Sequence, residues 1–218
     1  MTSQLEKKLK SFSSQNIIDA MSFLGWDQTM IHGPRPLFKG KKIFGEAVTL
    51  RFVHFRKDLL QDLPKKDESA EYKAFELCGP GKVLVASSIG PWESIGGDIK
   101  FLRLFQKKAA GIVTDGSVRD SKALEKYNFP VFAHSFTSKQ GPGIMLPISV
   151  NDNINCGGIL VRPGDYILGD DDGVVVFPKI LANEIITITE EREEIEMMVK
   201  NELTKNPESP GKLSLIHI

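Results

Sequence analysis

Cysteine is scarce: the chain carries two, Cys78 and Cys156, far apart in sequence. That pair excludes a disulfide framework and the close ligand spacing of a zinc finger, and it suits a reducing compartment. Neither sign of charge is in excess, with 28 Lys plus Arg against 28 Asp plus Glu. A basic nucleic-acid binder needs surplus cations to displace counterions, and an acidic disordered chain needs surplus anions. No apolar run is long enough to span a bilayer, and Met1–Glu6 lacks the apolar core of a signal peptide. The expectations are a cytoplasmic location, no membrane partner and no nucleic-acid partner. What is present is an ordinary globular composition, 41% apolar and 26% charged over 218 residues. That length buries a core without covalent staples.

Apolar periodicity orders the chain. Leu5, Leu9 and Phe12, then Ile17, Ile18, Met21 and Leu24, recur at helical spacing and predict two short helices broken at Ser13–Ser14. Gly33-Pro34-Arg35-Pro36 reads as a loop. Residues 43–54 alternate as a strand, and 56–71 read as a charged loop with a surface helix. Val83–Ala86, Gly111–Thr114 and Pro130–Ala133 read as buried strands. Helices opening at Gly96-Gly97-Asp98 and after Asp120 separate them. This alternation predicts parallel α/β packing.

The remainder changes character. Gly157–Val161, Tyr166–Leu168 and Val174–Phe177 read as short antiparallel or barrel-like strands. Pro178 then starts a long helix with an apolar stripe of Ile185, Ile188, Ile195, Met198 and Val199. Residues 1–212 are expected to form one domain, a mixed-sheet α/β unit with an N-terminal helical arm and a long C-terminal helix. The last six residues, Leu213-Ser214-Leu215-Ile216-His217-Ile218, form an apolar tail behind a polar break. The codons CTG TCT CTT ATA CAC ATC encode that hexapeptide and match a transposon end used to prepare DNA libraries. Residues 213–218 are therefore read as a non-native tail, with a docked terminus as the alternative.

Asp98, Arg119 and Asp120 carry the chemistry. Twenty residues, 99–118, separate the first two and hold one helix and one strand. Such a unit brings the chain back to the sheet end where it began, so the three side chains can meet there. Open α/β sheets bind ligands in crevices beyond strand carboxyl ends. A carboxylate suits a hard cation such as Mg²⁺, Arg grips a carboxylate in a fork, and amides after Gly96-Gly97 cradle an anion. The same residues also suit a turn salt bridge with an N-cap aspartate.

The run Gly111–Asp120, GIVTDGSVRD, resembles the signature of the RraA-like family. That family includes 4-hydroxy-4-methyl-2-oxoglutarate aldolases and the regulator of ribonuclease E activity. Arg35-Pro36-Leu37, Gly97-Asp98, Pro130–Ala133, Gly157-Gly158, Val161–Asp165 and Gly169–Val174 agree in order and spacing. The resemblance covers roughly residues 13–203. It implies a swivelling α/β/β/α sandwich assembled as trimers or hexamers, with the site at a subunit boundary.

For the site, the resemblance implies a divalent metal, Mg²⁺ or Mn²⁺, on Asp120. Arg119 would contact substrate carboxylate and carbonyl oxygens, and Asp98 would orient a water in the catalytic relay. The loop of Gly97, Asp98, Ile99 and Lys100 would hold the substrate carboxylate. It further implies an assisting acid from the neighbouring chain's C-terminal helix. Glu193, Glu194 and Glu196 are the candidates, a solvated helix face being the other reading. The implied activity is class II cleavage of a 4-hydroxy-2-oxo acid to pyruvate, with oxaloacetate decarboxylation by the same enolate chemistry and no Schiff-base lysine. The regulator branch lacks the acid at position 98, so Asp98 favours an enzyme over a protein-binding regulator. A lyase or dehydratase of other sugar acids would share the metal site.

Other features carry less. Asp165, Asp170, Asp171 and Asp172 lack calcium-loop spacing and read as turns. His134 lies just beyond a strand near the expected site, and Trp92 lies in the loop before Gly96. Cys78 and Cys156 read as inert thiols.

Overall fold

A computed structural model describes residues 4–206. The boundary at 212 and the tail 213–218 lie outside the described residues. The elements in order are α1 (Gln4–Ser11), α2 (Ser14–Phe23), β1 (Arg35–Pro36), β2 (Ile43–His54), α3 (Lys57–Asp62), α4 (Ala70–Leu77), β3 (Lys82–Ser87), α5 (Asp98–Gln106), β4 (Gly111–Thr114), α6 (Ser121–Tyr127), β5 (Val131–Ala133), β6 (Met145–Val150), β7 (Ile154–Cys156), β8 (Ile159–Val161), β9 (Tyr166–Asp170), β10 (Gly173–Phe177) and α7 (Ala182–Lys205). Between α1 and α2 the break is a capping box, in which Ser13 and Asn16 exchange side-chain and backbone bonds.

One mixed sheet runs β1-β5-β4-β3-β2-β9-β10, with β6 also paired to β2. The segment β2-β3-β4-β5 is parallel, as the alternation of strands and helices predicted, and β9 and β10 are antiparallel. β2 is long enough to serve two partners on one edge: β9 pairs with Ile43–Glu46 and β6 with Leu50–His54. An isolated bridge from Met30 to Val175 extends the far edge back toward β1, so the sheet nearly closes on itself.

Near-closure explains why the strands are apolar on both faces. Along β3, Val83 and Val85 point into the enclosed core while Leu84 and Ala86 point out under the helices. On β9 and β10, Ile167, Val174 and Val176 point in; Leu168, Val175 and Phe177 point out. Two helical layers cover the outside. α4, α5 and α6 lie over the parallel half, with Phe75, Phe101 and Leu124 buried. α1, α2 and α7 lie over β9 and β10, with Leu9, Ile17, Met21 and Ile185 buried. This is the expected α/β/β/α arrangement with its helical arm and long terminal helix.

Three local readings are corrected. Arg35-Pro36 is a two-residue strand against β5 rather than loop alone, because its partners Ala133 and Phe132 lie almost a hundred residues away. Gly157-Gly158 does not begin a strand. Both residues have positive φ, 53° and 82°, and form the two-residue turn of the β7–β8 hairpin. After Pro178 a 3-10 turn, Lys179–Leu181, precedes the long helix, which starts at Ala182. The stripe on that helix is buried at Ile185 and Val199, whereas Ile195 and Met198 are exposed. Among the described residues no helix is long and apolar enough to cross a membrane.

The hairpin turn is tied to the parallel strands. Asp115, just after β4, accepts N–H bonds from Ser88 (2.7 Å) and Gly157 (2.8 Å). Burial still pushes its carboxyl above the ordinary value. A side chain at Gly157 would sit 2.2 Å from the His32 carbonyl oxygen, at a left-handed φ. Gly157→Ala is therefore expected to cost about 2–4 kcal/mol from strain and overpacking. A thermal melt should show a fall of roughly 5–15 °C.

Candidate active site

The loops beyond β3, β4 and β5 are laced together by backbone bonds. Ile95 N–H donates to Ser117 O (3.1 Å), Arg119 N–H to Gly96 O (2.9 Å), and Val118 N–H to Ser135 O (3.1 Å). The buried Ser117 hydroxyl sits between them, donating to Pro91 O (2.6 Å) and lying 2.8 Å from the Ser135 hydroxyl. This lacing fixes where Gly97, Asp98, Arg119 and Asp120 stand. The structure brings Asp98, Arg119 and Asp120 together, as expected from the helix–strand spacing. They line a cleft of about 880 Å³ with Ile99, Lys122, Phe136 and Thr137.

Asp120 occupies the N-cap position of α6, where an aspartate ordinarily caps its own helix. It does not do so here. Its backbone is left-handed (φ 63°, ψ 46°), and no side-chain cap bond forms. Aspartate is among the residues that tolerate this conformation. Oδ2 instead accepts the N–H of Asp98 at 3.0 Å, across the cleft at the start of α5. The approach is possible because residue 97 is glycine: a Cβ there would lie 2.2 Å from Asp120 Oδ2. Asp120 is itself exposed and lines the cleft.

The first turn of α5 shows which amides are free. Asp98 N–H is taken by Asp120, and Phe101 N–H by Gly97 O. Ile99 and Lys100 N–H therefore remain as donors at a positive helix end. Of the loop residues expected to hold a carboxylate, these two offer unspent backbone donors. The Lys100 ammonium points elsewhere, to Glu71 Oε1 at 2.5 Å. Ile99 exposes its side chain beside the cleft. Arg119 is half-buried, and among the described residues its guanidinium forms no ion pair with Asp98 or Asp120.

The donor set fits a hard divalent cation. Mg²⁺ is commonly bound through one or two carboxylates and keeps several waters. Asp120 alone meets the lower figure, with the Asp98 carboxylate engaged by Tyr127. Among the described residues no group of three or more His, Cys, Asp or Glu side chains gathers anywhere. The acidic run at 165–172 is structural: Asp165 accepts Arg162 N–H, Asp170 holds Ser14, and Asp171 holds Gly40 N–H.

One residue of the site was not singled out from the sequence. The Tyr127 hydroxyl, at the end of α6, donates to Asp98 Oδ1. Tyr127 stacks on Phe105 with ring centroids 5.8 Å apart, which holds the hydroxyl in place. The bond to the carboxylate raises the tyrosine pKa. In sequence Tyr127 only continued the apolar spacing of its helix, and nothing linked its oxygen to Asp98. Tyr127→Phe keeps the stack and removes the bond. We expect a fall in kcat of roughly tenfold or more, with KM and melting temperature little changed. A purely packing role, which phenylalanine preserves, would leave both kcat and the melt unchanged.

Several expected contributors stand elsewhere. His134 and Trp92 pack edge to face at 4.7 Å, and neither borders the cleft. Glu193, Glu194 and Glu196 lie on α7, in the opposite helical layer. None lines the cleft of its own chain, and Glu196 pairs with Lys200 at 3.1 Å. Cys78 and Cys156 are buried. Burial pushes the Cys78 thiol up to about 12 and Cys156 well above its ordinary value, so both are poor nucleophiles.

A nearly closed mixed sheet between two helical layers, with two aspartates and an arginine at its strand ends, defines an α/β protein with a built acidic–basic cleft. The chain belongs to the RraA-like family, described as Aldolase/RraA, whose profile matches residues 14–176. It is 29% identical over 211 residues to an uncharacterised protein of Methanocaldococcus jannaschii, covering 95% of this chain and 92% of that one. A protein of Halalkalibacterium halodurans, by name a candidate 4-hydroxy-4-methyl-2-oxoglutarate aldolase, is 34% identical over 150 residues. That match covers 66% of this chain and 64% of that one. Among solved structures, Streptomyces coelicolor RraAS2 is described as an unusual member of the RNase ES inhibitor RraA family. It matches with a TM-score of 0.80 at 29% identity, covering 90% of this chain and 96% of that chain.

Proposed function

We propose that this chain is a divalent-metal-dependent lyase that cleaves a 4-hydroxy-2-oxo acid to pyruvate and a carbonyl compound. The observation that carries the reading is the orientation of Asp120. Its carboxylate leaves its own helix uncapped and meets the start of α5, beside Arg119 and Asp98. Relatives named as aldolases support it.

The chain's residues divide the work. The free amides of Ile99 and Lys100 hold the substrate carboxylate. Asp98, oriented by Tyr127, accepts the proton of the C4 hydroxyl. The C3–C4 bond then breaks, its electron pair passing into the 2-oxo acid to form the pyruvate enolate. Arg119 stabilises the developing charge with its planar fork. Asp98 returns the proton toward C3. Mg²⁺ or Mn²⁺ held by Asp120 would supply Lewis-acid polarisation of the 2-oxo carbonyl. The same set would decarboxylate oxaloacetate, and no lysine amine is needed.

The reading includes a homo-oligomer, a trimer or hexamer, with the cleft at a boundary between copies. The exposed Ile195, Met197 and Met198 on α7 supply apolar surface for such contacts, and Glu193, Glu194 or Glu196 would reach a neighbouring cleft. The whole reading places the protein in the cytoplasm.

A second reading, a non-catalytic protein-binding regulator, is favoured by the likeness to RraAS2. Coupled pyruvate assays with 4-hydroxy-4-methyl-2-oxoglutarate and oxaloacetate, with Mg²⁺ or Mn²⁺, separate the two. Release from either substrate supports the lyase. No release from any 4-hydroxy-2-oxo acid or oxaloacetate puts the regulator first.

A further inference from the structure

Next to the site around Gly97 and Asp120 lies a second groove of about 260 Å³, and Ser94, Lys100, Gly141 and Pro142 border both. The two spaces share these four residues as a common wall. The groove is apolar: Phe52, Phe55, Leu60, Met145, Leu146 and Pro147 line it. Phe55 and Leu60 are exposed at its rim, at 37% and 41%, and are large apolar side chains left uncovered beside a polar site. Gly141 closes directly on the site loop, since a Cβ there would lie 2.4 Å from the Ser94 carbonyl oxygen.

Charge in the groove decides what it accepts. Among the described residues lining it, Lys100 is the one cation, and Glu71 Oε1 holds its ammonium at 2.5 Å. The Glu71 side chain is 13% exposed and that of Lys100 34%, so the carboxylate is shielded and the ammonium is partly so. A second substrate carboxylate entering the groove would meet apolar walls and a cation already paired. It would lose its hydration without gaining a partner. An alkyl chain would lose only water contacts.

We propose that the groove is a substrate subsite, and that the preferred substrate is a 4-hydroxy-2-oxo monoacid with an unbranched alkyl chain at C4. This rests on the lyase reading for its chemistry and specifies which member of the substrate class the site takes. The head lies at Asp120, Arg119 and the α5 amides, and the chain passes over the Lys100 stem into the groove.

The test compares coupled pyruvate release from 4-hydroxy-2-oxo acids bearing methyl through heptyl at C4, with 4-hydroxy-4-methyl-2-oxoglutarate as the dicarboxylate. Calorimetric binding of uncleavable straight-chain 2-oxo acids runs beside it, all with Mg²⁺ present. In a buried apolar site each methylene is expected to raise kcat/KM about fourfold until the groove fills. The longer monoacids should then exceed the dicarboxylate. Leu60→Lys, at an exposed rim position, adds an unpaired cation. It should flatten the chain-length slope and improve the dicarboxylate, with the melt unchanged. Turnover with a flat or falling series, or with the dicarboxylate preferred, overturns the subsite and leaves the lyase standing. No turnover, but binding that tightens with chain length, overturns the lyase and leaves the subsite. Neither turnover nor length-dependent binding overturns both.

Discussion

Asp120→Asn is expected to lower pyruvate release by at least roughly 10³-fold while leaving the fold intact. Asparagine tolerates the left-handed backbone that Asp120 adopts (φ 63°), so the substitution adds little strain. Its amide oxygen can still accept the Asp98 N–H, the bond that joins α6 to α5 at 3.0 Å. What it lacks is the negative charge. A neutral amide is a weak ligand for Mg²⁺, and among the described residues no carboxylate cluster stands nearby to replace it. Calorimetric titration with Mg²⁺ should show lost binding beside an unchanged melt. Wild-type turnover by this variant would remove Asp120 from the mechanism.

Asp98→Asn should fail in a different way. Asp98 donates its backbone N–H to Asp120, while its side chain accepts from the Tyr127 hydroxyl, so the backbone part of the site survives the change. Metal binding should persist, and pyruvate should still bind through Ile99 and Lys100 N–H and Arg119. An amide cannot accept the hydroxyl proton, so cleavage should fall by roughly 10²–10⁴-fold. The pair of variants thus separates loss of the cation from loss of the base. If Asp98→Asn kept full turnover, the proton would have to go elsewhere.

The trio was legible in the sequence because it depends on local order. One helix and one strand between Asp98 and Arg119 must return the chain to the same sheet end, whatever the rest does. The alternation of residues 43–54, and the apolar runs of β3 to β5, were legible because each strand reports its own faces. Readings failed where the partner is remote or the signal mixed. Arg35-Pro36 becomes a strand only because β5 lies beside it. β6 contains Pro147 and pairs with β2 across a register shift between Arg51 and Phe52, so its alternation is broken. α4 follows a charged stretch, and its two buried residues, Ala74 and Phe75, are too few to show a period. The left-handed turn of Asp120 and the hydroxyl of Tyr127 depend on how α5 and α6 dock. Side-chain direction of that kind is not written in spacing.

The measurement that bears most directly on the account is a metal add-back of pyruvate release from a 4-hydroxy-2-oxo acid. Wild type and Asp120→Asn are both stripped with chelator and titrated with Mg²⁺ or Mn²⁺. Stripped wild type should lose its activity and recover it saturably as the ion returns, and Asp120→Asn should stay inactive over the same range. Full activity in the stripped wild type, or equal recovery by Asp120→Asn, would contradict a metal-dependent lyase built on Asp120.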